Sequence, residues 1–558
     1  MVVSKHHRLA VVIFVAVWIV NASVLAAVAP DAGQTERSVQ ERKLVSPEPS
    51  TADVNVTQEQ ERPKQVAEGP KIRVDCIRFT GQCIFSDEQL TAQISDQLGK
   101  ELSLADLESI AWRITRYLRS QGYLVAAAYL PAQEVKDNTV EIAILIGQYG
   151  KISLRNHSTL NTAYGNALLS ALRSGDYIKD DALERTILLL NDTSGVKAKA
   201  TLAPGEIAGT TDLIVDLGNA NQLEETLTAD NYGNWFTGEN RITVAVNINN
   251  PSGSGDQVAL GGTYAGSGLD SQNVSYQVPI GSQGGKLGVS YERTHYLLGR
   301  DFASLGASGE AITTSLFGTY PFIRSRNGNL YGRISLDEKK LNDRQDATDF
   351  ASDKRSQIVS LGLNGDKRDA DGSGISAFAL TCAIGKLRIH TPDVLETDQL
   401  SANTNGRFTK GTLNLLRLKQ MNQRLSYTLA FTGQLASKNL DSSERLYLGG
   451  ATGVRAYPQG EASGDEGYIL TGELHWNLPT PKFQLVAFID TGSIKLNKHP
   501  WEDSGNHRTL CGAGLGAIWN WEHDASLRMD YAWKLTSDPA ISAADRNGRF
   551  WLQCTQKF

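Results

Sequence analysis

Five cysteines and three methionines are all the sulfur that 558 residues contain, and beyond the first thirty residues there is no long apolar run. So little cysteine excludes a disulfide-dense scaffold, and with no two in a C-x-x-C pair there is neither a zinc ribbon nor a thioredoxin-like redox motif. Cys76 and Cys83 stand close enough to bridge in an oxidising compartment, whereas Cys382, Cys511 and Cys554 are scattered through strand-like segments, so we expect at most one disulfide and no metal. The chain lacks G-x-S-x-G, H-E-x-x-H and Walker A motifs, and of its nine histidines only His6 and His7 are adjacent, which argues against an enzyme and against a bound cofactor. Basic residues do not outnumber acidic ones: 55 Lys and Arg against 61 Asp and Glu give a formal charge of −6 and no footprint for nucleic acid.

What apolar run there is lies at the start. Residues 1–26 read as a secretory signal peptide: Lys5 and Arg8 supply positive charge, Leu9 to Val20 an apolar stretch, and Val24-Leu25-Ala26 small residues for cleavage. The stretch is too short to span a bilayer comfortably, so an exported protein without a transmembrane helix is expected. Residues 27–70 are polar, with Pro47, Pro49 and Pro63 interrupting any long element. Composition alone reads this as a disordered linker. The alternative is that Gln34 to Val45, polar all round, forms a helix seated in a water-filled lumen, where the lack of an apolar face is no handicap.

A duplicated small unit follows. In residues 71–150, a strand at Lys71–Phe79 precedes a capping box, Ser86-Asp87-Glu88-Gln89, for a helix through Leu98. Ser103 caps a second helix with Leu107, Ile110, Ala111, Ile114 and Leu118 on one face, and strands at Tyr123–Leu130 and Asn138–Ile146 complete the order β-α-α-β-β. Residues 151–219 repeat that order more loosely. Such sheets have exposed edges suited to an added peptide strand, although a pair of spacers fits the pattern too.

From residue 220 the grammar changes to strict alternation. Ile242, Val244, Val246 and Ile248 face one way, and Arg241, Thr243, Ala245 and Asn247 the other; Leu527, Met529, Tyr531 and Trp533 oppose Arg528, Asp530 and Lys534. A persistent apolar face opposite a charged one is what a barrel with lipid outside and water inside requires. The 339 residues from 220 to 558 leave room for about sixteen strands. Polar segments such as Asp337–Lys354 and Thr391–Gly406 read as external loops. Trp519, Trp521 and Trp551 are candidates for an interfacial girdle or for internal packing. Gly512-x-Gly514-x-Gly516 is better read as small lumen-facing residues of a strand than as part of a phosphate loop, and Asp369-Ala370-Asp371-Gly372 as a turn rather than a calcium loop.

The stretch Leu446 to Leu470 is the richest in information. Gly449, Gly450, Gly453, Gly460, Gly464 and Gly467 let its backbone fold back tightly, Val454, Ala456 and Tyr457 flank a lone Arg455, and Asp465 follows. Strand-like alternation beside it, with Tyr468, Leu470, Gly472, Leu474 and Trp476 on one face and Thr471, Glu473 and His475 on the other, places it into or over a barrel. An unpaired interior Arg is costly, so a carboxylate is expected to meet it, and Asp490 in FIDTG one strand later is the best candidate.

A signal peptide, two β-α-α-β-β units, a barrel, VRAYPQGEASGDEGY and the later FIDTG together resemble the translocators of two-partner secretion, the haemolysin and adhesin secretion/activation family (TpsB class), related to the barrel-assembly insertases. The resemblance covers essentially the whole mature chain. It implies a mainly β fold: a sixteen-stranded outer-membrane barrel behind two periplasmic POTRA domains, with Asp31 to about Val45 as a plug helix. It further implies that the loop enters the lumen, that Arg455 latches onto Asp490 on the inner wall, and that terminal Phe558 is the signal read by the barrel-assembly machinery. The implied partners are outer-membrane lipids and an unfolded exoprotein, haemolysin-like or adhesin-like, carrying an N-terminal secretion domain; an assembly insertase is the alternative. The family usually has Gly where this chain has Ala456, a departure that strains the loop if that position needs φ > 0.

Overall fold

In the computed structural model of the chain, residues 29–40, 53–56, 70–82, 84–479, 482–502, 505–521 and 524–558 are described. The expected signal peptide and Cys83, the suggested partner of exposed Cys76, lie outside them.

Sixteen antiparallel strands close into a barrel, each bonded to the strands beside it in sequence, and the first, Leu223–Asp230, bonded to the last, Gly548–Lys557. Alternation decides which side chains face out. In the twelfth strand, Glu466–Asn477, Tyr468, Leu470, Leu474 and Trp476 are exposed outward while Thr471 and Glu473 are buried within. A closed barrel pairs every backbone N–H and C=O across strands, the condition for crossing hydrocarbon without a helix.

The seventh and eighth strands, Gly328–Gln345 and Phe350–Arg368, overturn one expectation. Most of Asp337–Lys354 is not loop: Gln345 pairs with Phe350 and the ladder runs unbroken below them, leaving a turn of four residues. Above outward Leu336 the outward positions become Glu338, Lys340, Asn342 and Arg344, so the hairpin rises out of the apolar belt without losing its ladder. Polarity marks the edge of the membrane there, not the end of the strand. Thr391–Gly406, by contrast, does connect two strands and contains a helix, Pro392–Leu400.

The first small unit has the expected capping box at Ser86 with Gln89, and the expected cap at Ser103 is a capping box as well, with Asp106. Its first helix, however, stops at Ala92 rather than Leu98. Gly99, at φ 78°, turns the chain into a short strand, Lys100–Leu102, that pairs with Ile72–Val74. Val74, Leu90, Ile114, Leu118, Val140 and Ile142 are wholly buried in its core. In the second unit, Thr162–Leu169 and Asp180–Asn191 pack on a sheet of Gln148–Asn156, Val196–Pro204 and Thr210–Asn219. That sheet has a further strand, Asp53–Val56, parallel to Lys199–Leu202. The segment read as linker therefore includes a strand, missed because four residues are too few for a pattern to register.

The second unit is bolted to one end of the barrel. Asp192, just past its last helix, accepts two hydrogen bonds of 2.6 Å from Arg324 at the end of the sixth strand, Ala307–Arg324, and its carbonyl accepts one of 3.0 Å from Lys286. Arg185 donates to the Pro321 carbonyl at 2.8 Å.

Candidate functional site in the barrel lumen

Two elements fill the upper lumen. One is the helix Ala32–Gln40, whose Ala32 N–H donates to Asp343 Oδ1 at 2.7 Å and whose Gln40 donates to Glu292 at 3.0 Å on the barrel wall. Residues 41–45 of the expected plug lie outside the described residues. The helix is polar because its surroundings are: Glu36 lies buried against Lys339 and Thr313.

The second element is the connection between the eleventh strand, Leu425–Ala436, and the twelfth. It folds back inward instead of standing clear of the barrel, with Leu446–Tyr447 pairing to Ser463–Gly464 at its base. Its short helix Ser442–Glu444 touches the plug so closely that a Cβ on Gly33 would sit 2.5 Å from Ser442 Oγ. Two lysines of the wall join the elements. Lys339 lies 3.4 Å from Glu36 of the plug and 3.0 Å from Glu444 of the loop; Lys354 lies 4.0 Å from Asp31 and 2.9 Å from Asp441. Lys410 pairs with Glu444 as well, at 2.6 Å. Burial alone would raise the Glu444 carboxyl, but Lys339 and Lys410 hold it well below the ordinary range.

Arg455 lies at the deep end of the loop, with none of its side chain exposed. Its Nε and Nη2 each donate to Asp490 at 2.8 Å, a two-pronged pairing matched to a planar carboxylate, and its own N–H donates to Asp490 Oδ2 at 3.2 Å. Nη1 adds Glu473 at 2.7 Å and Asp530 at 3.2 Å, and the guanidinium lies 3.4 Å over the Phe488 ring. Arg528, bonded to Glu473 at 2.8 Å and Asp530 at 2.9 Å, offsets part of the surplus negative charge. Trp551 donates its Nε1–H to the Arg455 carbonyl at 2.7 Å, so this Trp faces the lumen and takes no part in a lipid-side girdle.

The seat for the loop is the fourteenth strand, His507–Trp521. A Cβ on Gly512 would come 2.5 Å from the Ala456 methyl, one on Gly514 2.3 Å from the Phe488 ring, and one on Gly516 2.1 Å from Asp530. The glycine stripe is thus the space in which loop and carboxylates meet. Ala456 is not among the described residues with positive φ, so it carries no left-handed strain, and its methyl fits over the bare Gly512.

The remaining loop residues hold it in shape. Val454 donates its N–H to the Leu448 carbonyl at 2.7 Å, and the Tyr457 hydroxyl lies 2.8 Å from Thr536 Oγ1. Gly453 packs against the Leu448 carbonyl, Gly460, at φ 82°, beside Gln34 of the plug, and Gly464 and Gly467 against the thirteenth strand, Phe483–Lys495. Asp465 accepts N–H bonds from Leu440 at 3.0 Å and Lys498 at 2.8 Å and lies 3.2 Å from Arg445; burial pushes its carboxyl up. Phe558 is exposed, its N–H bonded to the Glu225 carbonyl at 2.9 Å across the barrel seam. Below plug and loop lies a cavity of about 700 Å³ lined by Arg37, Glu292, Lys410, Thr412, Glu473 and Arg528.

Sequence reasoning found Arg455 and Asp490 but not Glu473, Asp530, Arg528, Phe488 or Trp551. The alternation placed Glu473, Arg528 and Asp530 on the lumen face; which of many such residues converge depends on barrel curvature, which no local pattern encodes.

A closed barrel with an inward-folded loop, a plug and α/β units at one end defines the class of POTRA-bearing outer-membrane barrel transporters. The model of the haemolysin secretion/activation protein ShlB/FhaC/HecB matches residues 209–518, and that of the ShlB-type POTRA domain matches residues 72–147. The chain belongs to this family of two-partner secretion transporters, with the barrel in the outer membrane and the POTRA region in the periplasm. It is 28% identical over 554 residues to the heme/hemopexin transporter protein HuxB of Haemophilus influenzae strain 86-028NP, covering 97% of each chain. Among solved structures it is similar to CdiB from Escherichia coli, with a TM-score of 0.68, 18% identity and coverage of 95% of this chain and 96% of that one. It is also similar to BamA from Haemophilus ducreyi lacking POTRA domains 1–3, with a TM-score of 0.53, 15% identity and coverage of 88% and 100%.

Proposed function

We propose that this chain captures an unfolded secreted exoprotein, through the partner's N-terminal secretion domain, on its two periplasmic units and passes it outward through the barrel lumen. The observation that carries the reading is the arrangement of the obstruction. Plug and loop close a polar lumen, and Lys339 and Lys354 each hold one carboxylate from the plug and one from the loop. When the plug withdraws, each lysine keeps its loop partner, so opening does not strand a buried cation. The carboxylate cluster around Arg455 latches the loop to the wall, and the hydroxyl, amide and charged side chains that line the lumen offer an extended chain hydrogen-bonding groups. Vectorial movement comes from folding of the exoprotein outside the cell. A haemolysin-like or adhesin-like exoprotein is the expected cargo, and exposed Phe558 is the residue offered to the barrel-assembly machinery during biogenesis.

The test is export of a co-expressed exoprotein bearing a secretion domain. Intact chain should place it in the medium, and deletion of residues 71–219 should leave it in the periplasm while the barrel still folds. Equal export by both chains would refute capture by the periplasmic units.

A further inference from the structure

On the outward face, the eighth strand, the ninth, Gly374–Ile389, the tenth, Gly406–Gln420, and the eleventh bring cations and apolar residues into two adjoining rows. Lys367 pairs with Ser376, and Ser376 with Arg417, so their side chains form one row across three strands. One step nearer the membrane centre, Gly365, Phe378, Leu415 and Phe431 form the next. The Phe378 ring lies over Gly365, where a Cβ would come 3.0 Å from it. Between the aromatic side chains lies a groove of about 600 Å³, lined by Lys367, Ser376, Phe378, Leu415, Arg417 and Phe431 among others.

The level of the rows is fixed by the turns they adjoin. Arg368 donates its N–H to the carbonyl of Asn327 at 2.8 Å, in the turn after Arg324, where the second periplasmic unit is bolted on. The cationic row therefore lies at the periplasmic boundary, at the depth of lipid phosphates, with the apolar groove running up into the acyl region. Lys419 joins Arg417 one step further out; both bond Asp369, at 2.7 Å and at 2.6 Å, in the turn on the periplasmic side. Asp369 thus holds Arg417 and Lys419 from below, and Arg417 Nη1 also donates to the Ser376 hydroxyl at 3.0 Å, which leaves that hydroxyl's hydrogen, exposed Lys367 and the membrane-facing side of Arg417 toward the lipid.

We infer that this groove is a binding site for an anionic phospholipid of the periplasmic leaflet, its phosphate on Lys367, Ser376 and Arg417 and one acyl chain between Phe378 and Phe431. A zwitterionic lipid fits the groove equally but gains less from the cationic row, so the site selects by headgroup. It is independent of the transport path, which lies on the other side of the wall.

Full-length protein in detergent, titrated with phosphatidylglycerol or phosphatidylethanolamine of identical acyl chains and read by native mass spectrometry, tests this. The intact chain should retain phosphatidylglycerol preferentially, and Lys367→Gln and Lys367→Gln/Arg417→Gln should each lower the preference, by about fivefold per cation removed. Phe378→Ala/Phe431→Ala should weaken retention of both lipids alike. Heat-modifiable mobility on gels verifies that each barrel is folded; should the double cation variant not fold, Lys367→Gln alone decides. Equal retention of the two lipids by the intact chain, or a preference unchanged by Lys367→Gln, would overturn the assignment.

Discussion

Replacing Arg455 by Ala removes the group on which three carboxylates converge. Asp490 has none of its side chain exposed, and Glu473 and Asp530 are nearly as enclosed. Arg528 reaches Glu473 and Asp530 but bonds neither oxygen of Asp490, so Asp490 alone is stranded as a buried, uncompensated charge. Breaking a buried pair in this way costs about 3–5 kcal/mol. Hydrogen bonds to charged groups at roughly 1.5–3 kcal/mol each would sum to more, but they share one side chain and do not add. Because the strand ladder is untouched, the cost falls on docking of the loop and shifts its docked-to-undocked ratio by at least about 100-fold. Limited proteolysis of intact barrels should reveal it: the variant is cut within 446–464 under conditions that spare the parent. Asp490→Asn, which keeps the shape and leaves Glu473 and Asp530 on the arginine, should be cut at an intermediate rate. If Arg455→Ala is as resistant as the parent, the loop is held by its packing and turns, and the electrostatic account of the latch is wrong.

Gly512→Val should undock the loop by a different route, since the added side chain overlaps the Ala456 methyl; protease sensitivity like that of Arg455→Ala with an undiminished barrel is expected, and Ala456→Gly should relieve part of it. Lys339→Met removes the cation shared by Glu36 and Glu444 and leaves both carboxylates buried, so the plug should leave more often and planar-bilayer conductance should rise. Acid should act in the same direction. Glu444 is held below its ordinary value of 4.5, so its contribution to docking is complete above that pH and is lost as pH falls through its lower folded value. Channel openings should therefore become progressively more frequent as pH falls below about 4.5, and Glu444→Gln should remove that part of the acid response.

How much could be read beforehand follows from the range of each signal. Faces of strands repeat every two residues, so the outward Leu470 and Leu474 and the inward Thr471 and Glu473 were evident without coordinates. Capping boxes at Ser86 and Ser103 are equally local. Arg455 announced itself because a lone cation among glycines, Val454 and Tyr457 demands a partner, and FIDTG offered a carboxylate among apolar residues. The rest of the cluster was hidden, because Glu473, Asp530 and Trp551 meet Arg455 only through the closure of strands 12 to 16. The clamp of Asp192 on Arg324 joins residues more than a hundred positions apart, each of which looks like an ordinary solvated charge. The extended seventh and eighth strands mislead for the opposite reason: a local polar signal reads as a loop where only the membrane has ended.

The central claim is that cargo passes through the lumen. An exoprotein stalled in transit by a folded C-terminal fusion, with a photo-crosslinking residue placed in turn at lumen-facing Ser360 and Thr412 and at outward Leu361 and Leu413, measures it most directly. Crosslinks from Ser360 and Thr412, and none from Leu361 or Leu413, are predicted. No crosslinks from Ser360 or Thr412, with crosslinks instead from the same residue placed at Thr228 or Thr555 of the seam between Leu223–Asp230 and Gly548–Lys557, would contradict the account and favour an insertase that passes its client sideways into the membrane.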